Sequence, residues 1–209
     1  HVLSKEEAEA LNVDPHYCSD CSDVVLLTSR GGHKYSRCFH RPLLSPGIGL
    51  QHWVSRTNFP AVGLVQTSPS EMSFYMNKNY AQPSAHLSRY TFPLDRLGYF
   101  ESYKNEGELL TKLINIQAFD DLSINVSTSA AGYVYVALLD SDNKFIPGFD
   151  FSACRELIGN EFSKPVRWFT SSTNCLTLGD CGFSSVKIFF RILEAKLFSF
   201  SLSPTITNA

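Results

Sequence analysis

Five residues in the first half of the chain are of types that bind or hydrolyse sugars: Trp53, Arg56, Asn58, Glu71 and His86. An indole ring stacks on a pyranose face, and arginine and asparagine bond sugar hydroxyls. Glu71 is the candidate carboxylate, in the role of an auxiliary group that orients a hydroxyl or tunes an acid. Glycoside hydrolysis needs two facing carboxylates, so no catalytic residue is assigned beyond this candidate. The loop residues can equally be structural, because arginine and asparagine in loops commonly bond backbone carbonyls.

Cysteine provides the second kind of reactive group, with six in the chain. Cys175 and Cys181 would close a small loop, so we expect them to form a disulfide. Cys38 is expected to bond Cys18 or Cys21, or to remain free, and Cys154 is expected to be a buried free thiol. The Cys18 and Cys21 pair resembles half of a zinc site, but zinc needs about four ligands. Further nearby candidates lack a second paired spacing, so no metal is predicted: Cys38, His16, His33, His40.

The compartment and the partners are constrained by bulk composition. Asn125-Val126-Ser127 is a glycosylation acceptor sequence, and together with the even cysteine count it predicts a secreted, extracellular glycoprotein. A net charge of −2 with 18% charged residues gives no reason to bind nucleic acid. No apolar run approaches the roughly 20 residues that cross a bilayer. Neither membrane insertion nor a cofactor is expected.

The elements that would hold the first-half residues are one helix and several strands. Ser4 and Glu7 have capping-box spacing, which predicts a short helix over Lys5–Leu11. Strands are predicted by apolar runs or by polar and apolar alternation, bounded by glycine and proline, at Asp23–Ser29, Ala61–Thr67, Glu71–Met76 and Leu87–Phe92.

The second half has the pattern of an antiparallel β-sandwich, with short strands separated by turn residues. The predicted strands include 122–127, Tyr133–Leu139, Lys187–Ile192 and Leu197–Leu202. The aromatic residues expected in its core are Phe145, Phe149, Phe151, Trp168 and Phe169.

A further possibility is that this half alone binds carbohydrate. Tyr133 and Tyr135 would provide stacking surfaces, and the loop Asp140-Ser141-Asp142 could contact calcium. Two aspartates are too few for the six to eight oxygens that calcium takes, unless backbone carbonyls contribute.

Several motifs in one order carry a family resemblance: 23–37, 41–47, 52–102, 128–169 and 186–202. They resemble the end of a five-bladed β-propeller and the following β-sandwich in proteins related to glycoside hydrolases of the invertase, inulinase and arabinanase type. The expected fold is therefore all-β, a partial propeller followed by a sandwich, with a short N-terminal helix. The expected divisions are an N-terminal extension over 1–22, the partial propeller over 23–105, the sandwich over 106–203 and a tail over 204–209.

The resemblance also implies a function. Family members of this kind carry a full propeller, whose first and middle blades supply the catalytic carboxylates, and the front of that propeller is missing here. We therefore expect a non-catalytic structural or binding subunit that associates with a companion chain or with itself, with carbohydrate as a further candidate partner. The alternative is that it contributes Arg56, Asn58, Glu71 and His86 to a sugar-binding or hydrolase funnel completed by a missing N-terminal half.

Overall fold

The computed structural model describes residues 3–14, 21–49, 52 and 54–204. The fold is all-β, with one short α-helix among these residues. The chain divides into two compact units, His1–Leu94 and Asp95–Ala209, called below the N-terminal unit and the C-terminal unit. The strands are β1 Phe59–Pro60, β2 Val65–Ser68, β3 Glu71–Lys78, β4 His86–Pro93, β5 Phe100–Ser102, β6 Gly107–Leu110, β7 Ile114–Asn115, β8 Asp121–Leu139, β9 Asn160–Pro165, β10 Trp168–Phe169, β11 Cys175–Leu176 and β12 Ser185–Ser203.

The predicted helix is present as α1, Lys5–Ala10. Its capping box is formed as expected. The Glu7 amide donates to Ser4 Oγ at 3.2 Å, and the Ser4 amide donates to Glu7 Oε2 at 2.9 Å. These two bonds satisfy amides that the first helical turn leaves without partners.

A four-stranded antiparallel sheet forms the centre of the N-terminal unit. β3 lies in the middle, with β4 on one side and β1 and β2 on the other. The strands predicted at Glu71–Met76 and Leu87–Phe92 are confirmed as β3 and β4. On the inner face, Phe74 stacks on Tyr90 with ring centroids 5.4 Å apart, and Met76 is fully buried.

Two predicted strands of this unit are wrong in whole or in part. Residues 23–29 make only two isolated bridges, from Val24 to Leu44 and from Thr28 to Ser36, and Leu27 is 50% exposed. An apolar run predicts a buried strand, but these two isolated bridges do not form a sheet that would bury its side chains. The strand expected over Ala61–Thr67 begins only at Val65, because Gly63 has a φ of 99° and interrupts the extended backbone.

The C-terminal unit is built on two 19-residue strands, β8 and β12, that pair antiparallel along their length. β9 flanks β8, while β5, β6 and β7 pair with successive parts of β12. The sequence predicted two shorter strands in place of each long one. The register shifts at two places, between Leu193 and Ala195 and between Leu197 and Ser199. Both shifts are β-bulges, which leave the strand continuous where the sequence pattern indicated a break.

One buried cluster fills this unit. A straight strand of 19 residues would be about 60 Å long, yet Val166 and Trp168, two residues apart, donate to carbonyls near opposite ends of β8, those of Leu122 and Val136. The long pair must therefore bend around its own core. Among the predicted core aromatics, Phe149 and Trp168 are buried, and Trp168 Nε1 donates to the Val136 carbonyl at 2.8 Å.

Phe145 corrects the core prediction, since it is 48% exposed. It follows the turn at 140–144 and packs on the outer side of the sheet, with its ring centroid 5.9 Å from Phe151 and 6.4 Å from Phe189. Phe151 and Phe169 are partly buried.

Candidate functional site

Glu71 occupies the first position of β3 and faces the outer side of the N-terminal sheet. Arg89, on β4, donates to Glu71 Oε1, and Thr67 donates to the same oxygen at 2.8 Å. Arg89 Nε also bonds Ser73 Oγ at 3.0 Å. The carboxylate is thus part of an ion pair and hydrogen-bond network that links three neighbouring strands.

Asn58 is 6% exposed, and its hydrogen bonds are directed into the protein. Its amide nitrogen donates to the Ser22 carbonyl at 2.7 Å, its backbone amide donates to Ser22 Oγ at 2.9 Å, and Lys78 Nζ donates to its Oδ1 at 3.3 Å. These contacts fasten the segment before β1 to residue 22 and to the end of β3. Of the two interpretations left open by the sequence, the geometry favours the structural one for Asn58.

The remaining sugar-site candidates are peripheral or outside the described residues. His86 is exposed, and its Nδ1 lies 2.9 Å from the Ser84 carbonyl. Arg56 pairs through its backbone, where its carbonyl accepts from the Ser22 amide at 3.1 Å. Trp53 lies outside the described part of the chain.

The length of β3 separates Glu71 from Asn58 and His86. Asn58 contacts Lys78, and His86 lies opposite Lys78 in the β3–β4 register, so both belong at the last residue of β3. Glu71 is the first residue of that strand. Seven steps of extended chain span about 23 Å, which is too far for one sugar ring to contact Glu71 and Asn58 together.

The described cysteines are all free thiols: Cys21, Cys38, Cys154, Cys175 and Cys181. The expected Cys175–Cys181 disulfide is therefore not formed in this structure. Cys181 belongs to the buried cluster whereas Cys175 is exposed. Cys38 Sγ and Thr28 Oγ1 share a hydrogen bond of 3.3 Å. Cys18 lies outside the described residues.

Cys154 has the environment expected of a packing thiol. It is 6% exposed, its sulfur accepts from the Val136 amide at 3.3 Å, and burial raises its pKa to about 12. Such a thiol stays protonated and unreactive near neutral pH.

Asn125, the predicted glycosylation site, is 4% exposed. Its Oδ1 accepts from Arg96 Nε at 2.8 Å, and Arg96 also donates to Asn160 Oδ1 at 2.6 Å. The guanidinium carbon lies 4.4 Å from the Phe162 ring centroid and 4.6 Å from that of Phe198. The folded chain does not present this amide to a glycan, and the burial argues against the predicted modification.

The outer face of the N-terminal sheet is a feature that sequence reasoning missed. The β-sheet register places four exposed apolar side chains on the same side as Glu71: Phe59 at 47% exposure, Val65 at 52%, Tyr75 at 36% and Leu87 at 64%. We call these four residues the outer apolar face. The signal was available in Phe74-Tyr75-Met76, where three consecutive large apolar residues supply both faces of a strand.

Tyr133 and Tyr135 lie on the outer side of the C-terminal unit, as neighbours on β8 with ring centroids 5.1 Å apart. Their hydroxyls are occupied: Tyr133 donates to Glu106 at 2.8 Å, and Tyr135 donates to Glu156 at 3.2 Å. The bond to Glu106 raises the pKa of Tyr133, and desolvation raises that of Tyr135. Arg191 lies 3.0 Å from Glu106, so this carboxylate links the Tyr133 hydroxyl to a guanidinium on the same surface.

Within the described ranges, no group of three or more His, Cys, Asp and Glu side chains is arranged to hold a metal ion. Asp140, considered above for calcium, instead accepts from the amides of Asp142 at 2.8 Å and Lys144 at 2.9 Å and so stabilises its own turn. The described helix is too short and too polar to span a membrane.

Comparison with known proteins adds no assignment. No family model, curated protein or solved structure matches this chain.

Proposed function

We propose that this chain is a non-catalytic structural and binding module of a secreted glycosidase-like assembly, which associates through its N-terminal unit with a companion β-sheet. The fold proposed with it is a partial β-propeller followed by a β-sandwich. The observation that carries the proposal is the outer apolar face, on which Phe59, Val65, Tyr75 and Leu87 lie together in register and are exposed. The family resemblance supplies the glycosidase-like context.

The energetic argument rests on how much of this face lies in water. The four side chains are about half exposed, so covering what remains in water would stabilise a complex by on the order of 1 kcal/mol for each of them. Four such residues together form the apolar centre that specific interfaces require. Apolar side chains gathered on one face, in contrast to single scattered ones, mark interaction surfaces.

A second β-sheet is the companion that fits this surface best. The face is formed by extended strands whose exposed side chains alternate with buried ones, and sheets stack face to face through such rows about 10 Å apart. In the described residues β4 pairs only with β3, which leaves its other edge open for strand addition. The Glu71–Arg89 ion pair lies on the same face and would supply a polar contact that sets the register.

The alternative, a sugar funnel made by Arg56, Asn58, Glu71 and His86, has less support. Asn58 is bonded internally, and about 23 Å of β3 separates Glu71 from the Lys78 end. Glycan-array binding that is lost in Glu71→Gln and in Arg56→Ala would restore this alternative.

Sedimentation velocity tests the proposed association. We expect the wild-type chain to sediment as a dimer or larger species, because a second copy can cover the outer apolar face when the natural companion is absent. The double variant Tyr75→Ser and Leu87→Ser should shift the population to the 23.4 kDa monomer. Leu113→Ser with Ile158→Ser removes apolar residues of similar exposure, 48% and 49%, from the C-terminal unit and should leave association unchanged.

Intact mass spectrometry of a native preparation identifies the natural companion. A second chain, or a longer precursor that supplies further β-sheet, is the expected result. A wild-type chain that is a monodisperse monomer at high concentration, and that carries no companion in the native preparation, would contradict the proposal.

A further inference from the structure

The free edge of β4 is the longest strand edge without a partner in the described part of the N-terminal unit. β4 has eight residues, and it pairs only with β3, without any register shift. The opposite side of the sheet is formed by β1, with two residues, and by β2, with four residues and a register shift. Short strands and bulges commonly protect a sheet edge from pairing with another chain, and β4 has neither.

A hydrogen bond just beyond β4 shows which of its backbone groups lie on the free edge. The Leu94 amide donates to the Ser70 carbonyl at 2.9 Å, so every second residue of β4, counted back from Leu94, bonds β3. In an antiparallel ladder such residues alternate with residues whose amides and carbonyls are directed away from the partner strand. Leu87, Arg89 and Thr91 therefore direct their backbone groups to the free edge.

The other side of the sheet leads to the same assignment. The Ala61 amide donates to the Tyr75 carbonyl at 2.8 Å, so Tyr75 directs its backbone groups toward β1 and away from β4. Arg89 lies opposite Tyr75 in the register, so its own backbone groups are not used within the sheet. The free edge of β4 is thus a row of backbone donors and acceptors about 7 Å apart, and none of them has a partner among the described residues.

The sequence of β4 allows this edge to pair antiparallel with the same edge of a second copy. With Tyr90 opposite Tyr90 of the second copy, Arg89 pairs with Thr91 and exchanges both backbone hydrogen bonds with it. The Leu87 amide reaches the Pro93 carbonyl, and proline in that position leaves no amide unpaired. Two aromatic rings directly opposite each other also form a favourable cross-strand pair.

Charge selects this register over its neighbour. Moving one copy by two residues would place Arg89 opposite Arg89 of the second copy, and like charges directly opposite destabilise a strand pair. In the register centred on Tyr90, Arg89 faces the uncharged Thr91 and keeps its bond to Glu71 within its own sheet. The Tyr90 ring is also stacked on Phe74, so it is held in place before two copies meet.

We propose that two copies of the chain join edge to edge along β4, in the antiparallel register centred on Tyr90, so that two four-stranded sheets become one continuous sheet. This pairing rests on the proposed association of the N-terminal unit and specifies its strand and register. Leu87, the most exposed residue of the outer apolar face, lies in the seam opposite Pro93 of the second copy, so Leu87→Ser weakens the seam as well. The outer apolar faces of both copies lie on the same side of the joined sheet, where a companion sheet would cover them together.

Residue-resolved amide hydrogen exchange of the full chain, followed by NMR at low and high protein concentration, tests the register. The amides of Leu87, Arg89 and Thr91 should exchange rapidly in the dilute chain and at least about tenfold more slowly in the concentrated one. The amides of Ser88 and Tyr90 bond β3 and should be protected at both concentrations. This alternation is specific to edge pairing, because stacking of the outer face leaves the edge amides in water.

Sedimentation velocity of Thr91→Pro is the second test. Proline is tolerated in an edge strand where the amide faces away from the sheet, so the fold should be kept while the seam loses a donor. The dissociation constant of the dimer should rise at least about tenfold.

Gln66→Pro is the matched control for this variant. Val65 lies opposite Ser73, which directs its backbone groups toward β2 as Tyr75 does toward β1, so the Gln66 amide faces away from the sheet on its far side. The control should therefore associate as the wild type does. Melting temperatures of both variants show whether each is folded.

The outcomes distinguish the pairing from the association. A chain that associates while the amides of Leu87, Arg89 and Thr91 still exchange rapidly would keep the association and overturn the pairing. So would a folded Thr91→Pro chain that associates as the wild type does, or protection of these amides that only a companion chain produces. A wild-type chain that remains monomeric at high concentration overturns the pairing, and the association fails with it only where the native preparation also holds no companion.

Discussion

The two units of this chain differ in how completely they bury their apolar side chains. In the C-terminal unit, residues from both long strands and from the segments between them enclose one cluster of 21 buried residues. In the described part of the N-terminal unit, the buried hydrophobic residues are Val13, Val54, Phe74 and Met76. The same unit leaves the outer apolar face in water. A unit with a closed core can fold by itself, whereas a sheet covered on one side gains stability from whatever covers the other.

This comparison predicts separate unfolding transitions, with the C-terminal unit the more stable, and the largest effect is expected in its core. Trp168→Ala removes a fully buried indole and its hydrogen bond to Val136, so the later transition should lose about 3–5 kcal/mol. The earlier transition should not move. Urea denaturation followed by circular dichroism measures both.

Phe145→Ala is the matched control, because it truncates a half-exposed aromatic residue of the same unit and should cost much less. If Trp168→Ala shifts both transitions together, or if wild-type unfolding has a single transition, the two units are not independent.

Alkaline pH should also act selectively on the C-terminal unit. The pKa of Cys154 is raised from 9.0 to about 12 in the folded state, so this thiol contributes stability that is full below pH 9 and is lost as pH rises toward 12. At 1.36 kcal/mol for each pH unit, the loss between pH 8 and pH 10.5 is about 2 kcal/mol.

Cys154→Ala removes the titrating group and should flatten the alkaline slope of the later transition, even if the variant is less stable at pH 8. Denaturation series at several pH values measure the slope, with the earlier transition as internal reference. Equal slopes in wild type and variant would show that other groups control the alkaline loss.

The smallest effect is expected on the surface of the N-terminal sheet. Glu71 and Arg89 have side chains 36% and 47% exposed, so solvent screens their attraction. A double-mutant cycle with Glu71→Gln and Arg89→Gln should give a coupling of less than about 1 kcal/mol, confined to the earlier transition. A coupling well above this in the isolated chain would indicate that the ion pair is covered, as it would be beneath a companion sheet.

How well the sequence predicted the structure depended on how local the signal was. The capping box of α1 and the alternation in β3 are encoded by adjacent residues, and both were found. The bulge at Glu194 was not, because it depends on residues 129–132 meeting a strand about 60 positions later in the chain. The outer apolar face was missed for a similar reason, since Val65, Tyr75 and Leu87 share a surface only once the register is known. The residues predicted to bind sugar had suitable side chains, but residue type alone could not show that Glu71 and Asn58 lie at opposite ends of β3.

The pairing of β8 with β12 also determines how the chain reaches this fold. The nearest paired residues, Leu139 and Lys187, are 48 positions apart (187 − 139), and the farthest, Asp121 and Ser203, are 82 apart (203 − 121). Contacts of such long range make folding slow, because the chain loses loop entropy before the strands begin to stabilise one another. Pairing is favoured to begin at Leu139 and Lys187 and to proceed outward, past the bulge at Glu194. Until it passes that point, residues 121–128 of β8 and 195–203 of β12 are unpaired edges, and refolding at high protein concentration would compete with aggregation.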